Sequence, residues 1–303
     1  MEYQNSTKHR RSFGRKLFLF LTAILLLFVA FSLMKKLFSD GAITSDNQIA
    51  LVEVSGMITD SRETVHQLEN YRRDNNVKGI ILRIDSPGGA VGPSQEIYEA
   101  VASIRKDGKK KIYASLGSVA ASGGYYIASA TDHIFANPGT LTGSIGVIMA
   151  FSNIEELIGK IGVRPEVIKS GAFKDAGSPV RPISKEERTL LQQLVDDVHE
   201  QFIEDVAKGR NLPPDDVKLL ADGRVYTGRQ AFNLKMVDQL GGLQDAIDHL
   251  AQQAGIVGLP QIVEEKEEIP FLDWLLQSSL QKGLSQTLAR QKSPALQFLW
   301  TVP

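Results

Sequence analysis

The sequence contains no cysteine, which removes disulfides, thiolate zinc sites and cysteine nucleophiles together while leaving the redox compartment open. It also lacks an excess of either charge. The 34 basic and 35 acidic side chains give a formal net charge of -1, so no global field draws the chain to nucleic acid. Histidine is scarce, at five residues, and no His or carboxylate cluster has the spacing of metal ligands. No solenoid repeat is present. What the 303 residues do hold is apolar side chains, at 43%, enough for one large domain of about 200 to 250 residues with additional segments.

One of those segments is N-terminal. Leu17 to Met34 carries no charge, and Thr22 and Ser32 are its polar members, which approaches the ~20 apolar residues that span a bilayer core. Lys8, Arg10, Arg11, Arg15 and Lys16 precede it, whereas Lys35 and Lys36 follow. The positive-inside rule then keeps residues 1–16 in the cytosol and exports everything after Phe38. A cleaved signal peptide is the rival reading, with Ala30-Phe31-Ser32 as a small-x-small site, but the apolar run exceeds the usual signal core. We therefore expect a retained anchor over 17–38 in the inner (cytoplasmic) membrane, a polar tether over 39–48, and an extracytoplasmic domain over 49–254.

That domain reads as strands alternating with helices. Ile49 to Val54, Val77 to Ile84 and Lys111 to Leu116 are apolar, partly β-branched runs of strand length; shorter ones lie at His133 to Ala136, Pro165 to Ile168 and Met236 to Leu240. Helices are expected at Thr64 to Arg73, Ser94 to Lys106, Tyr125 to Ala130, Pro213 to Leu220, Gly228 to Leu234 and Gln244 to Gln253. A long one, Lys185 to Lys208, is capped by Ser184 with Glu187 at the capping-box position and ended by Gly209. Strand, helix, strand in succession is the pattern of crossover units and a parallel sheet, hence an α/β fold. The tail over 255–303 carries Phe298, Leu299 and Trp300; a mobile tail and an amphipathic membrane or partner segment are both consistent with it.

Three stretches bear on chemistry. Gly117 to Tyr126 places Ser122 between a buried strand and a helix, where following backbone N–H groups are placed to hold an oxyanion; in isolation, a plain N-cap with tight glycine packing is the better explanation of the stretch. Asp85-Ser86-Pro87-Gly88-Gly89 breaks a strand where open α/β sheets bind ligands. A nucleophilic serine needs a base. Of the histidines, only His133 lies near Ser122 in the fold, and its position before a strand puts it toward the other end of the sheet. Lys174, in the loop Ser170 to Pro179, is the other candidate, since a lysine serves as base where its amine is neutral at working pH; read locally, it is one more solvated lysine.

Together, Asp85 to Gly89, Ala120 to Tyr126, Leu141 to Val147, Lys169 to Asp175 and Ala221 to Gly228 resemble, in order, the motifs of the short bacterial signal peptide peptidase A (SppA) family. The resemblance covers about Ile49 to Gln253. It implies a ClpP/crotonase-like fold, a parallel sheet with flanking helices, and a Ser-Lys dyad with Ser122 as nucleophile and Lys174 as general base. It also implies that Ser144 orients the lysine amine and that the backbone N–H groups of Gly89 and Gly123 form the oxyanion hole. No metal or cofactor is implied. The implied partners are peptide substrates, namely signal peptides left in the membrane, and copies of the same chain in a ring whose active sites are shared between subunits. Two rivals stand beside this reading: a crotonase-like enzyme acting on thioesters, and a membrane-tethered scaffold with a dead site.

Overall fold

The computed structural model describes residues 18–24, 26–31, 34, 47–265 and 297–299. The chain divides into two compact units, Met1–Ser45 and Asp46–Pro303. In the first, the described residues between 18 and 34 are helical, with the Thr22 hydroxyl donating to the carbonyl of Leu19 at 2.9 Å. Among the described residues no helix is long and apolar enough to cross a membrane; Leu17, Leu25, Ser32, Leu33 and residues 35–38 of the expected anchor lie outside them.

The second unit is a mostly parallel sheet buried on both faces. Strands β1 (Gln48–Ser55), β2 (Val77–Ser86) and β4 (Lys111–Ala121) lie side by side in parallel, with β1 also paired to β9 (Gln261–Val263). Strand β4 is the pivot. Its first half pairs with β5 (His133–Ala136) and its second half with β6 (Leu141–Gly143), which in turn pairs antiparallel with β7 (Val225–Thr227). The two-residue β8 (Gln239–Leu240) lies on β5. Because both faces are covered, successive residues of β1 enter different cores. Ala50 and Val52 join Ile80, Leu82 and Leu116, whereas Ile49 and Leu51 join Ile81, Tyr113 and Phe135. This two-sided burial is why these strands read as continuous apolar runs rather than as alternation.

Helices fill the two faces. On one side stand α1 (Arg62–Arg73), α2 (Val91–Asp107), the wholly buried α3 (Gly123–Ser129) and the C-terminal half of α5 (Lys185–Arg210). On the other is α8 (Leu243–Gln253), whose Leu250 lies so close to β2 that a Cβ on Gly79 would stand 2.9 Å from it. Shorter helices α4 (Glu155–Lys160), α6 (Pro214–Leu220) and α7 (Gly228–Asn233) complete the unit.

Several expectations need correction. Pro165 to Ile168 is not a strand: it is exposed throughout, fully so at Ile168, and pairs with no strand among the described residues, because its apolar side chains find no core to enter. Helix α5 passes Gly209 and ends at Asn211, which takes the left-handed conformation at φ 52°. Gly209 is instead a close-approach site, with its notional Cβ 2.2 Å from the carbonyl of Ser129. The strand expected over Met236 to Leu240 shrinks to β8, and β4 runs five residues beyond Leu116, through Gly117 to Ala121.

The capping box of α5 holds as expected: Ser184 Oγ accepts from the Glu187 N–H at 3.1 Å, and Glu187 accepts from the Ser184 N–H at 2.9 Å. Glu187 also accepts from the Arg181 guanidinium. The Arg181 hydrogen bonds, with the Ser184 N–H second, hold its carboxyl at about 2 against an ordinary 4.5. The folded value is depressed, so this carboxylate stabilises α5 above pH 4.5 and the contribution is lost as pH falls toward 2. An NMR titration of the Glu187 carboxyl should find its midpoint near 2; a midpoint near 4.5 would mean that the pair with Arg181 does not form in solution.

Candidate active site

The site begins with a backbone distortion. Ser122, between β4 and α3, has φ 54° and ψ −117°, a region that non-glycine residues rarely occupy at a cost of ~1–3 kcal/mol. The surroundings impose it. The Ser122 N–H donates to the carbonyl of Gly143 at 2.8 Å, and the Ser122 carbonyl accepts from the N–H of Tyr126 at 2.8 Å, starting α3. A turn of this kind lifts the side chain clear of the strand, as the nucleophile elbow of α/β hydrolases does. Ser122 is 1% exposed, and among the described residues its Oγ has no hydrogen-bond partner. A buried hydroxyl without a partner is unfavourable, and such a group is a place to look for chemistry.

The route of β4 into this turn was not legible in the sequence. Ile84 pairs with Leu116, but Ser86 pairs with Ala120, so β4 carries two extra residues as a bulge. Asp85 fills it: its carboxylate accepts from the N–H of Val119 at 3.0 Å, and a Cβ on Gly117 would clash with it at 2.8 Å. Bulges recur beside active sites because they re-aim the strand that follows. The Thr142 hydroxyl then ties β6 to β4 by donating to Ala120 O at 2.6 Å.

The structure brings the Gly88–Gly89 corner against this serine. A Cβ on Gly123 would stand 3.3 Å from both Gly88 Cα and Gly89 N, and a Cβ on Gly88 would stand 2.7 Å from Gly123 N. Only glycines allow two backbones to approach so closely. Gly88 to Ala90 form strand β3, so the expected turn is itself partly strand. Ser144 follows Gly143, the acceptor for Ser122, and is the second non-glycine residue near the site with positive φ, at 53°. Its N–H donates to Arg224 O at 2.9 Å. Ser122, Gly123, Gly89 and Ser144 therefore converge.

Lys174 makes no hydrogen bond to this group among the described residues. It is exposed, in the turn 171–175. Exposed apolar side chains surround its segment: Ile161, Val163, Val167, Ile168 and Phe173. His133 is no substitute. It pairs with Tyr113, nine residues before Ser122 along β4, which is about 30 Å at strand rise. There it stacks on His249 with ring centroids 5.1 Å apart, and burial shifts it toward the neutral form.

The groove beside Ser122 is filled by the chain's own tail. Gln297–Leu299 forms β10, antiparallel to β3, with Phe298 opposite Gly89. Gln297 also exchanges backbone hydrogen bonds with Ile148 at 3.1 and 3.2 Å, so the segment lies between two backbone edges. Phe298 is completely buried, with ring centroids 5.2 Å from Tyr126 and 4.6 Å from Phe202. Its carbonyl lies over Gly88, where a Cβ would meet it at 2.1 Å. The sequence marked Phe298 and Leu299 as apolar residues in a polar tail and contained no signal for the strand they form. An extended peptide is thus accommodated by main-chain pairing plus an aromatic pocket.

Residues 104–257 match the sequence profile of Peptidase family S49, and residues 31–140 match that of Clp protease. A Synechocystis sp. protein carrying the provisional name protease slr0021 is 46% identical over 69% of this chain and 75% of its own length. An Enterococcus faecium protein, provisionally named signal peptide peptidase SppA, is 38% identical over 76% of this chain and 71% of its own. Protease 4 of Haemophilus influenzae is 36% identical over 68% of this chain but only 35% of its own length.

If β10 fills the groove in solution, removing residues 297–303 opens it. Burial of a Phe side chain is worth ~1.5–3 kcal/mol, or about 10- to 100-fold in affinity. A fluorescent peptide of sequence 295–303 should therefore bind the Ser122→Ala protein lacking 297–303 at least ~10-fold more tightly than the full-length Ser122→Ala chain. Equal anisotropy titrations would show that the tail does not compete.

Proposed function

Since the chain belongs to Peptidase family S49 and is a serine peptidase, we propose that it is a membrane-anchored endopeptidase that degrades remnant signal peptides with a Ser122–Lys174 dyad. The observation that carries the reading is the extended segment on β3, beside a serine whose backbone is strained and whose hydroxyl has no partner. A peptide substrate takes that place as a strand. The neutral amine of Lys174 accepts the Ser122 proton as Oγ attacks the scissile carbonyl, and the N–H groups of Gly89 and Gly123 receive the oxyanion. The lysine then gives that proton to the departing amine. Water, deprotonated by the same lysine, cleaves the acyl-enzyme ester, and the proton returns to Ser122. Ser144 orients the amine.

Lys174 reaches its serine, in this reading, in a closed ring in which each protomer lends its lysine to a neighbour through a head-to-tail interface. Support comes from the exposed apolar residues in the same stretch of chain as Lys174, namely Ile161, Val163, Val167, Ile168 and Phe173, since exposed apolar surface is what a protein contact covers. An N-terminal anchor over 17–38, with the catalytic domain outside the cytosol, delivers the enzyme to peptides left in the membrane. The relative from Enterococcus faecium bears the name of that activity.

Ser122→Ala and Lys174→Ala should each lower peptide hydrolysis by ~10³-fold or more, because residues acting as one unit fail together. A fluorophosphonate should label the wild-type chain at Ser122. Turnover by either purified variant at the wild-type rate would remove that residue from the mechanism, and absence of labelling would favour a dead site.

The shared site has its own test. When Ser122→Ala and Lys174→Ala proteins exchange subunits, some intact pairs of Ser122 and Lys174 re-form and activity returns. Mixed assemblies, verified by native mass spectrometry, that remain inactive would place the dyad within one chain.

A further inference from the structure

The turn that carries Lys174 is held by charge. The Lys174 N–H donates to Gly171 O at 3.2 Å, and the carbonyls flanking it each accept from a cation. Lys169 Nζ donates to Ala172 O at 2.9 Å, and Arg181 Nη2 donates to Asp175 O at 3.0 Å. Both cations are themselves anchored on the Asp175 carboxylate, Lys169 Nζ at 2.6 Å from Oδ1 and Arg181 Nε at 3.0 Å from Oδ2. Hydrogen bonds first from Arg181 and then from Lys169 hold the Asp175 carboxyl well below the usual carboxylate range.

The far edge of the same guanidinium binds elsewhere. Arg181 Nη1 donates to Glu187 Oε2 at 2.9 Å and to Pro182 O at 3.1 Å. Glu187, whose side chain is 4% exposed, is the N3 residue of the α5 capping box, and α5 runs on to bury Phe202, Ile203 and Val206 in the main core. One planar group therefore connects a helix rooted in the core to an otherwise exposed lysine turn. Nearby, the Phe151 ring lies over Gly177, whose notional Cβ would be 2.3 Å from it.

We propose that Arg181 is a positioning residue for the general base. Bound at once to Asp175 and Glu187, its guanidinium fixes where the Lys174 amine stands. The inference rests on Lys174 being the base. The chemistry of the fork matters: Arg181 uses Nε, Nη1 and Nη2 on two carboxylates and two carbonyls, which a lysine's single ammonium cannot span. A displacement of about 1 Å in a reacting group costs up to ~10²-fold in rate, so a base on an exposed loop needs such an anchor.

The test uses the full-length enzyme. Arg181→Gln should lower kcat by ~10- to 100-fold, with KM within about twofold, because β3 and the aromatic pocket are untouched. The rate of fluorophosphonate labelling at Ser122 should fall in parallel, and Arg181→Lys should recover part of both. Ser184→Ala, which removes a cap of α5 and none of the Arg181 hydrogen bonds, should lower the melting temperature while leaving kcat unchanged. Wild-type kcat in Arg181→Gln, an equal fall in Ser184→Ala, or loss of the assembly's wild-type mass in Arg181→Gln would each overturn the proposal. Turnover by Lys174→Ala would instead overturn the reading of the base, and this role of Arg181 with it.

Discussion

The active region depends on one hydrogen bond, from the N–H of Ser122 to the carbonyl of Gly143. It holds Ser122 in a conformation that its own Cβ opposes, and it couples that residue to the loop carrying Ser144, which is likewise at positive φ. Everything that surrounds Ser122 serves to keep this geometry. The Asp85-filled bulge turns β4 toward it, α3 begins at its carbonyl, and the bare backbones of Gly88 and Gly123 leave no room for a side chain to push it away. Strain of ~1–3 kcal/mol persists only where packing over-determines it, and α3, buried at all seven positions, supplies that packing.

The candidate nucleophile and its candidate base are built by opposite means. Ser122 is fixed by burial within the sheet and its covering helices, where each atom has many neighbours and little freedom. Lys174 stands on a segment with few apolar contacts of its own, so its position comes from directional bonds: an arginine fork, a lysine and two carboxylates. The difference follows from solvation. A serine hydroxyl is small enough to be buried at modest cost, whereas a charged lysine amine is costly to bury and stays in water until a partner covers it.

How much of this was readable in the sequence follows from the range of the interactions involved. Strands β1 and β2, the first half of β4 and the capped start of α5 depend on neighbours in the chain, through apolar runs and the Ser184–Glu187 spacing, and they emerged nearly at their observed bounds. Strands β6, β7 and β10 are three residues each and exist only because a distant partner accepts them, so no local pattern announced them. Pro165 to Ile168 fails for the converse reason: its apolar residues promised a strand, yet no sheet edge receives it. Ser122, Gly89, Gly123 and Ser144 were identified from ordered motifs; that they converge is a fact of tertiary structure. Arg181 was missed because a lone arginine in a loop has no local signature, and its role is visible only once Asp175 and Glu187 are seen on either side of it.

The occupied groove bears on how such a peptidase distinguishes substrates from folded proteins. Pairing on β3 requires a segment with free backbone donors and acceptors, which a residue within a helix or a sheet does not have. In the proposed function, a substrate that takes the place of Phe298 against Tyr126 and Phe202 also brings a large apolar side chain to one position. A remnant of an apolar targeting segment, once extended, meets both conditions, whereas a native domain keeps its apolar residues inside and its backbone paired. Selectivity in the proposed function then follows from what a chain must already have lost in order to lie on Gly88–Ala90, with no need for the site to read a longer sequence.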